Sequence, residues 1–307
     1  MKKLLTLLLA FAMLLGTACA ETVVQVNTEL EGHETQYRLY DREVYEAPCE
    51  HPGQVVKVKY ESHMYGEKTY KRYVNVYLPY GYDENGTERY PVIYFFHGNG
   101  CDQTTLIGNP YTVNAFDHMI ENGEMPASII VAPTYFYDVR KNLVDEAGFI
   151  REMREEIMPL VEGTYRTYAE TADEAGFTAS RNMRAICGFS RGCYMTWTLM
   201  PAMVDYARTF LPFSYFVLDD AVPAINQVMA GPYAGDVFIY TCSGGPEDSA
   251  AYTGGIQLAK AMLKDEHISF GSSFAENNYF YLASDNPHQD LCSRYYLYNA
   301  FLDGLFK

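Results

Sequence analysis

The stretch Ile186-Cys187-Gly188-Phe189-Ser190-Arg191-Gly192-Cys193 decides the fold, because it joins the end of an apolar run to the start of a helical pattern. Glycines stand two residues before and two residues after Ser190, where side chains would collide in a sharp strand-to-helix turn. Such a turn holds the serine in strained backbone geometry and exposes its hydroxyl, while the following helix directs its amide groups toward the same point. The stretch therefore predicts that Ser190 is a nucleophile at the end of a buried strand.

Apolar runs of strand length alternate with helical patterns on both sides of this stretch. The runs that predict strands are residues 92–96, 128–132, 183–187, 213–218, 237–241 and 279–283, and the segments that predict helices are residues 113–122, 147–161, 193–207, 249–263 and 292–305. This alternation indicates an α/β fold with a mostly parallel sheet and helices on both faces. Residues 54–60 and 70–78 alternate apolar and polar side chains, which adds an antiparallel N-terminal edge.

Two stretches, residues 163–182 and 222–235, have no regular period, and we expect them to be loops over the carboxyl ends of the strands. Ligands of open α/β sheets bind at that edge. No linker rich in Pro, Gly or Ser interrupts the middle of the chain. We therefore expect an export segment at 1–20, an acidic lead-in at 21–53 and one domain of enzyme size at 54–307.

The composition limits the classes of partner. The 307 residues are 48% hydrophobic and 20% charged, which suits a large core, and 23 Lys and Arg against 39 Asp and Glu give a formal net charge of −16. Because such a chain repels polyanions and no basic stripe interrupts the negative charge, nucleic acid and anionic membrane surfaces are disfavoured. The 28 tyrosines are typical of core and strand positions or of a surface for sugars and phenols.

Residues 1–20 have the layout of a signal peptide, with two lysines before an apolar run and small residues. Ala18-Cys19-Ala20 fits a cleavage site, which predicts secretion, while lipidation of Cys19 is the alternative and the route by which we expect a membrane partner. Six further cysteines permit disulfides in an oxidising compartment without fixing their pairing. The sequence has no CxxC, HExxH or Cys/His cluster at zinc spacing, so we expect neither a metal nor another cofactor.

A serine nucleophile needs a base, and the base needs an acid that fixes its tautomer. Only two histidines follow Ser190 in the chain. His267 lies in an acidic, solvated stretch, whereas His288 follows the last predicted strand and is the predicted base. Asp248, in the loop after the penultimate strand, is the predicted acid, although an Asp there also suits a helix N-cap. The alternative acids are Glu247, Asp219 and Asp220.

Acyl transfer also needs backbone donors for the developing oxyanion. The amide of Arg191, next to the nucleophile, is one predicted donor. The Gly-rich loop 97–102 supplies the other, and the sequence leaves Asn99 and Gly100 as equal candidates. His97, in the same turn, has a structural role in this interpretation.

The candidate substrate contacts are aromatic, with one carboxylate from the Gly-rich loop. Aromatic side chains after the strand at 128–132, together with the single tryptophan, would line a pocket for an aromatic ligand, and core packing is the alternative for each of them. The candidates are Trp197, Tyr135, Phe136 and Asp102, with Tyr137 beside them.

Together these residues resemble the serine esterases of carbohydrate esterase family 1, a group of α/β-hydrolases that includes feruloyl and acetylxylan esterases. The resemblance lies in residues 73–82 and 90–98, in the turn around Ser190 with Thr196-Trp197, and in the loops that carry Asp248 and His288. It spans about residues 54–307. It implies the α/β-hydrolase fold and carries Ser190, Asp248 and His288 over as the catalytic triad.

Two departures from the family pattern fall near the expected pockets. Pro287 precedes His288 and Gln289-Asp290 follow it, where such esterases often have Gly before the His and an aromatic residue shortly after it. Leu218-Asp219-Asp220 stands where the family often has Ser-Gly-Asp. These departures affect the expected specificity for the acyl group and the leaving group more than they affect the expected mechanism.

The resemblance implies a secreted serine carboxylesterase that acts on acylated plant cell-wall polysaccharide or oligosaccharide, with feruloyl esters of xylan as the first expectation. Acetylxylan esterase activity and acyl transfer to a sugar are alternatives that share the triad. A catalytically silent glycan-binding surface protein is the alternative from another class, and it is suggested by the residues around His288 and by the tyrosine content.

Overall fold

The computed structural model describes residues 22–26, 30, 32–33, 35–271, 274 and 278–307, so the predicted signal segment 1–20 and Cys19 lie outside the described residues. In this part of the chain the strands are β1 Thr22–Val26, β2 Thr35–Leu39, β3 Gln54–Ser62, β4 Tyr70–Leu78, β5 Val92–Phe96, β6 Ile129–Ala132, β7 Phe136–Asp138, β8 Leu143–Val144, β9 Arg184–Phe189, β10 Thr209–Phe213, β11 Phe238–Ser243 and β12 Tyr279–Ala283.

Helices flank these strands. They are α1 Arg42–Tyr45, α2 Pro110–Glu121, α3 Glu146–Glu152, α4 Met158–Thr164, α5 Glu174–Ala179, α6 Arg191–Met203, α7 Leu218–Met229, α8 Ser249–Met262 and α9 Ser293–Leu302. A π-helical segment, Met153–Ile157, joins α3 to α4. Four helices, α1, α2, α3 and α5, begin at a side-chain cap; α2, for example, begins with Pro110 after Asn109, whose side chain accepts from the amide of Tyr111.

Eight strands form one mixed sheet in the order β12-β11-β10-β9-β5-β6-β4-β3. The six strands from β12 to β6 are parallel, and β4 and β3 add an antiparallel edge. Every residue of β5 is buried, as expected for a strand covered on both faces, whereas β3 is largely exposed. The predicted α/β-hydrolase fold is confirmed.

The core lies in two layers, one on each face of the sheet. Alternate residues of β5 belong to different layers, with Val92, Tyr94 and Phe96 on the face covered by α3 to α8 and Ile93 and Phe95 on the face covered by α2 and α9. Half of the 28 tyrosines are buried in these layers. The tyrosine content is therefore mainly a property of the core.

The carboxyl-terminal part of the sheet differs from expectation at β10. We predicted a strand over residues 213–218 and a loop over 222–235, but β10 ends at Phe213 and α7 occupies Leu218–Met229. Ser214 has a positive φ of 55°, which ends the strand. Ala221, Ile225 and Val228 are buried with helical spacing, and this packing outweighs the Pro within the helix.

Two further segments are more ordered than their patterns indicated. The predicted loop over 163–182 contains α5, whose N-cap Asp173 accepts from the amide of Gly176. The acidic lead-in forms β1, β2 and α1, and its Tyr37, Tyr40 and Tyr45 are buried against the core beside α9. Short elements of this kind have too few residues to show a period.

A buried ion pair stabilises the start of β9, the strand that leads to Ser190. Arg184 and Glu162 lie 2.6 Å apart, with 2% and 0% of their side chains exposed. The Tyr94 hydroxyl donates to the same carboxylate at 2.9 Å, and so does Thr167 at 3.0 Å. Removal of one partner would leave the other charge buried without compensation.

We expect Glu162→Gln to lower the free energy of unfolding by about 3–5 kcal/mol, since it leaves the Arg184 guanidinium unpaired. Urea denaturation followed by circular dichroism measures the change. Glu155→Gln, on an exposed position of the same helical region, is the matched control and should change stability by less than about 0.5 kcal/mol. Equal stability of the two variants would contradict the role assigned to the pair.

Candidate active site

The predicted strand-to-helix turn is present at Ser190. β9 ends at Phe189, α6 begins at Arg191, and Ser190 between them has φ 55° and ψ −116°. A Cβ atom at Gly188 would lie 2.1 Å from the carbonyl oxygen of Gly192, and one at Gly192 would lie 2.1 Å from that of Phe96. Both glycines are therefore required by the turn, as the sequence indicated.

His288 and Asp248 converge on this serine from the loops after β12 and β11. The Nε2 atom of His288 lies 2.9 Å from Ser190 Oγ, and its Nδ1 atom lies 2.7 Å from Asp248 Oδ1. Asp248 is 4% exposed, and its second oxygen accepts from the amide of Gly244 at 3.0 Å. Because an ionised carboxylate only accepts, Nδ1 carries the proton and Nε2 presents its lone pair to the serine hydroxyl.

The surroundings of His288 favour its protonated form. The hydrogen bond to Asp248 raises the pKa of the imidazole above the ordinary 6.5, partial burial opposes this shift, and the negative charges of Asp248 and Asp290 add to it. The ring therefore accepts a proton from Ser190 more readily than a free imidazole does. It loses this capacity as the pH falls through its raised pKa, because it is then already protonated.

The other residues weighed for the base and the acid lie elsewhere or lack these contacts. His267 is exposed and bonds to Asp265. His97 is buried, stacks on Tyr135 and lies 2.8 Å from Thr134 Oγ1, and burial lowers its pKa, which fits the structural role predicted for it. Asp219 and Asp220 lie in the first turn of α7, and Glu247 lines the cleft beside Ser190.

The Gly-rich loop lies against the turn that carries Ser190. The carbonyl oxygens of Phe96 and His97 are the atoms nearest to a Cβ built at Gly192, so the loop starts beside the first residues of α6. The amide of Gly98 donates to Asp290 Oδ1 at 2.6 Å. Asn99 and Gly100 follow directly, and the amide of Arg191 lies at the start of α6. The loop that carries two of the predicted donors therefore begins beside the start of α6, and the oxyanion role of these amides stays a prediction.

Asp290 is a site residue that sequence reasoning missed in this role. Its carboxylate accepts from the amide of Gly98 and lies 3.3 Å from the Cys101 thiol, and it thereby joins the loop of His288 to the Gly-rich loop. The two loops are 192 residues apart in the chain. No local pattern signals such a contact, although the position of Asp290 two residues after the predicted base could have suggested one.

A cleft opens beside the three candidate catalytic residues, Ser190, Asp248 and His288. A cavity of about 380 Å³ is lined by Ser190 and His288 together with Tyr215, Phe216 and Val217. A neighbouring cavity of about 510 Å³ shares Phe216 and Val217 and extends along α7 and α8. The combined groove could accept an acyl group near the serine and a larger leaving group beyond it.

The four candidate substrate contacts do not line this cleft. Trp197, Tyr135 and Phe136 are 1%, 0% and 0% exposed, and the indole of Trp197 donates to the carbonyl of Tyr215. Asp102 accepts from the amide of Thr104 in its own loop. Core packing, the alternative stated for the aromatic side chains, is what the structure has.

The aromatic lining instead comes from Tyr215 and Phe216. The predicted strand over 213–218 would have assigned both residues to the sheet, and its early end at Phe213 releases them toward the cleft. The aromatic side chains that line the cleft are therefore different from the ones that residue type alone suggested.

The six described cysteines are all free thiols, although the sequence permitted disulfides. Cys187, Cys193 and Cys242 are fully buried within the strands and helix around the site. They act there as small apolar core residues.

Within the described part of the chain, no helix combines the length and the apolar character needed to cross a bilayer.

Comparison with known proteins connects this geometry to esterases. The family described as "Putative esterase" matches residues 67–205. Endo-1,4-beta-xylanase Y of Acetivibrio thermocellus is 32% identical over 262 residues, which make up 82% of this chain and 23% of that protein. The chain thus spans about a quarter of the length of this curated relative.

Solved structures extend the likeness over nearly the whole chain. The feruloyl esterase module of Clostridium thermocellum, solved as a serine-to-alanine variant with sinapinate, has a TM-score of 0.76 and 29% identity and covers 92% of this chain and 98% of its own. A carbohydrate esterase family 1 ferulic acid esterase from the anaerobic fungus Anaeromyces mucronatus has a TM-score of 0.62 at 20% identity, covers 86% of this chain and 95% of its own, and shows the shared fold.

Proposed function

We propose that the chain is a serine carboxylic ester hydrolase that cleaves feruloyl and related hydroxycinnamoyl esters of xylan, because residues 67–205 match the putative esterase family and the chain is similar to a feruloyl esterase module. Ser190, His288 and Asp248 are the catalytic residues in this proposal. The hydrogen-bonded series from Asp248 through His288 to Ser190, with distances of 2.7 and 2.9 Å at the mouth of a cleft, is the observation that carries it.

In the proposed reaction, Ser190 Oγ attacks the ester carbonyl while His288 Nε2 takes its proton. The bond to the sugar oxygen then breaks, and the same proton passes from His288 to the departing hydroxyl. Water attacks the acyl-enzyme with His288 again as the base, which releases the free acid and regenerates the serine. Asp248 keeps the imidazole in the required tautomer throughout.

The developing oxyanion requires two donors that are fixed before the reaction starts. The amide of Arg191 is one, and an amide of Asn99 or Gly100 is the other. Asp290 is a positioning residue here, since it accepts from Gly98 and holds the loop against the serine. The dipole of α6, which starts at Arg191, also favours negative charge at this position.

The shape of the cleft and the relatives support an aromatic acyl group. Tyr215 and Phe216 border the cavity next to Ser190; Tyr215 is the more exposed of the two and offers an aromatic face for a methoxyphenyl ring, whereas Phe216 is packed against the core. The feruloyl esterase module similar to this chain was solved with sinapinate, which has such a ring. The negative net charge of the chain suits a neutral polysaccharide better than a polyanion.

Secretion belongs to the same proposal. An insoluble or very large polysaccharide is reached outside the cell, and residues 1–20 have the composition of an export signal. Retention through a lipid on Cys19 would serve the same purpose at the cell surface.

A panel of substrates tests the acyl specificity of the wild-type enzyme. We expect kcat/KM for methyl ferulate, methyl sinapate and methyl p-coumarate to exceed that for simple acetate esters by about tenfold or more, because only the aromatic acids contact the cleft lining. Chromatography of products from feruloylated and acetylated xylan gives the matched measurement on polymer. Faster release of acetate than of ferulate would replace the proposal with the acetylxylan alternative, and esters formed on added sugar would reveal acyl transfer.

A further inference from the structure

A second cluster of reactive side chains lies where the segment before β3 meets the C-terminal part of α2. Cys49 and His51 come from that segment, and His118 and Glu121 lie one turn apart on the helix. The ligand atoms of Cys49, His118 and Glu121 all lie within 4.8 Å of one another. We propose that this cluster binds a divalent transition-metal cation of the zinc class.

The separations suit a tetrahedral site. Bond lengths of about 2.0–2.3 Å from zinc to N, O and S ligands place neighbouring ligand atoms about 3.3–3.8 Å apart. Cys49 Sγ lies 3.2 Å from Glu121 Oε2, and His118 Nδ1 lies 4.0 Å from the same oxygen. Since all three atoms lie within 4.8 Å of one another, changes of about 1 Å in the side-chain positions would bring them to these separations around one cation.

The second nitrogen of His118 is already fixed in the way that metal-binding histidines require. Its Nε2 atom lies 3.2 Å from the carbonyl oxygen of Ala47. A carbonyl only accepts, so Nε2 carries the proton and Nδ1 is left with its lone pair toward Cys49 and Glu121. A backbone carbonyl on the outer nitrogen is a common partner of a metal-ligating imidazole, because it fixes both the tautomer and the ring orientation.

His51 and Asp117 complete the surroundings. His51 Nδ1 lies 3.0 Å from the other oxygen of Glu121, so this imidazole is a hydrogen-bond partner that orients the carboxylate. Asp117 is 2% exposed, and its Oδ2 atom has no hydrogen-bond partner among the described residues. It lines the same cavity, of about 140 Å³, as His51 and Glu121. A cation held by Cys49, His118 and Glu121 would add positive charge near this buried carboxylate.

We expected no metal from the sequence, because the candidate ligands come in two short pairs about 70 residues apart. Cys49 and His51 are separated by one residue, and His118 and Glu121 by two. A bound cation would tie the N-terminal segment to α2, the helix that follows the Gly-rich loop. The proposal concerns a structural site and does not depend on the ester substrate.

Metal binding by the purified full chain tests the proposal. After removal of metal with a chelator, we expect one Zn²⁺ per chain by calorimetry, a rise in the thermal unfolding midpoint on adding Zn²⁺, and a thiolate-to-metal absorption band with Co²⁺. Glu121→Gln and His118→Asn should each raise the Kd for Zn²⁺ about tenfold or more, and Cys49→Ser should remove the absorption band of the Co²⁺ complex. His267→Asn, an exposed histidine outside the cluster, is the matched control and should bind Zn²⁺ as the wild type does.

Glu121 has 39% of its side chain exposed, so its variant keeps the fold and separates ligand loss from unfolding, as circular dichroism will verify. Absence of stoichiometric binding would overturn the proposal. So would unchanged affinity in Glu121→Gln and His118→Asn, or a cobalt band that persists in Cys49→Ser. Esterase activity enters none of these measurements, so the metal site and the proposed reaction can fail separately.

Discussion

Replacement of Ser190 by alanine should lower kcat for methyl ferulate by about a millionfold, because the variant has no oxygen to form the acyl-enzyme. Steady-state assays with purified protein measure this loss directly. A fluorophosphonate probe, which reacts with activated serines, should label the wild type and fail to label the variant. The fold should persist, since the strand-to-helix turn depends on the small size of Gly188 and Gly192, which the variant retains.

Ser128→Ala is the matched control for this experiment. Ser128 is buried beside β6 and donates to the carbonyl of Pro126, away from the cleft. It should retain wild-type turnover and labelling. Substantial hydrolysis by purified Ser190→Ala would rule out Ser190 as the nucleophile.

Replacement of Asp248 by asparagine should reduce kcat by about ten thousandfold, because the amide no longer fixes the His288 tautomer with its lone pair toward the serine. The variant should also change the pH dependence. The pKa of His288 in the wild type is raised above 6.5 mainly by Asp248, so the acid limb of kcat/KM should have its midpoint above that value. Loss of the carboxylate should move the midpoint to lower pH.

The comparison variant is Glu247→Gln, which removes the alternative acid in the same loop. Glu247 lines the cleft, whereas Asp248 makes the hydrogen bond to His288. The acid midpoint should therefore stay in place in Glu247→Gln. A downward shift there with none in Asp248→Asn would reverse the assignment of the two carboxylates.

The fold and the candidate triad could be predicted because their signals are local. β5 and β12 are continuous apolar runs with the predicted bounds, and the glycines around Ser190 express a steric requirement of one turn. His288 and Asp248 each follow a recognisable strand. The parallel arrangement of those strands brings their carboxyl ends together, so chain order was enough to place both residues near Ser190.

The lining of the cleft could not be predicted in the same way. Pro223 and the irregular pattern around it concealed α7, and the positive φ of Ser214 decides where β10 ends. Tyr215 and Phe216 reach the cleft only because of that early end. Trp197, by contrast, lies on the buried face of α6, and nothing in residue type distinguishes a core aromatic from a pocket aromatic.

The contact between Asp290 and Gly98 has a consequence for redesign of the enzyme. The residue two positions after His288 holds the loop of the proposed oxyanion donors, so the short peptide from 288 to 290 sets the spacing of two functional groups at once. A single inserted residue between His288 and Asp290 would separate the base from the oxyanion loop, even with every catalytic side chain retained.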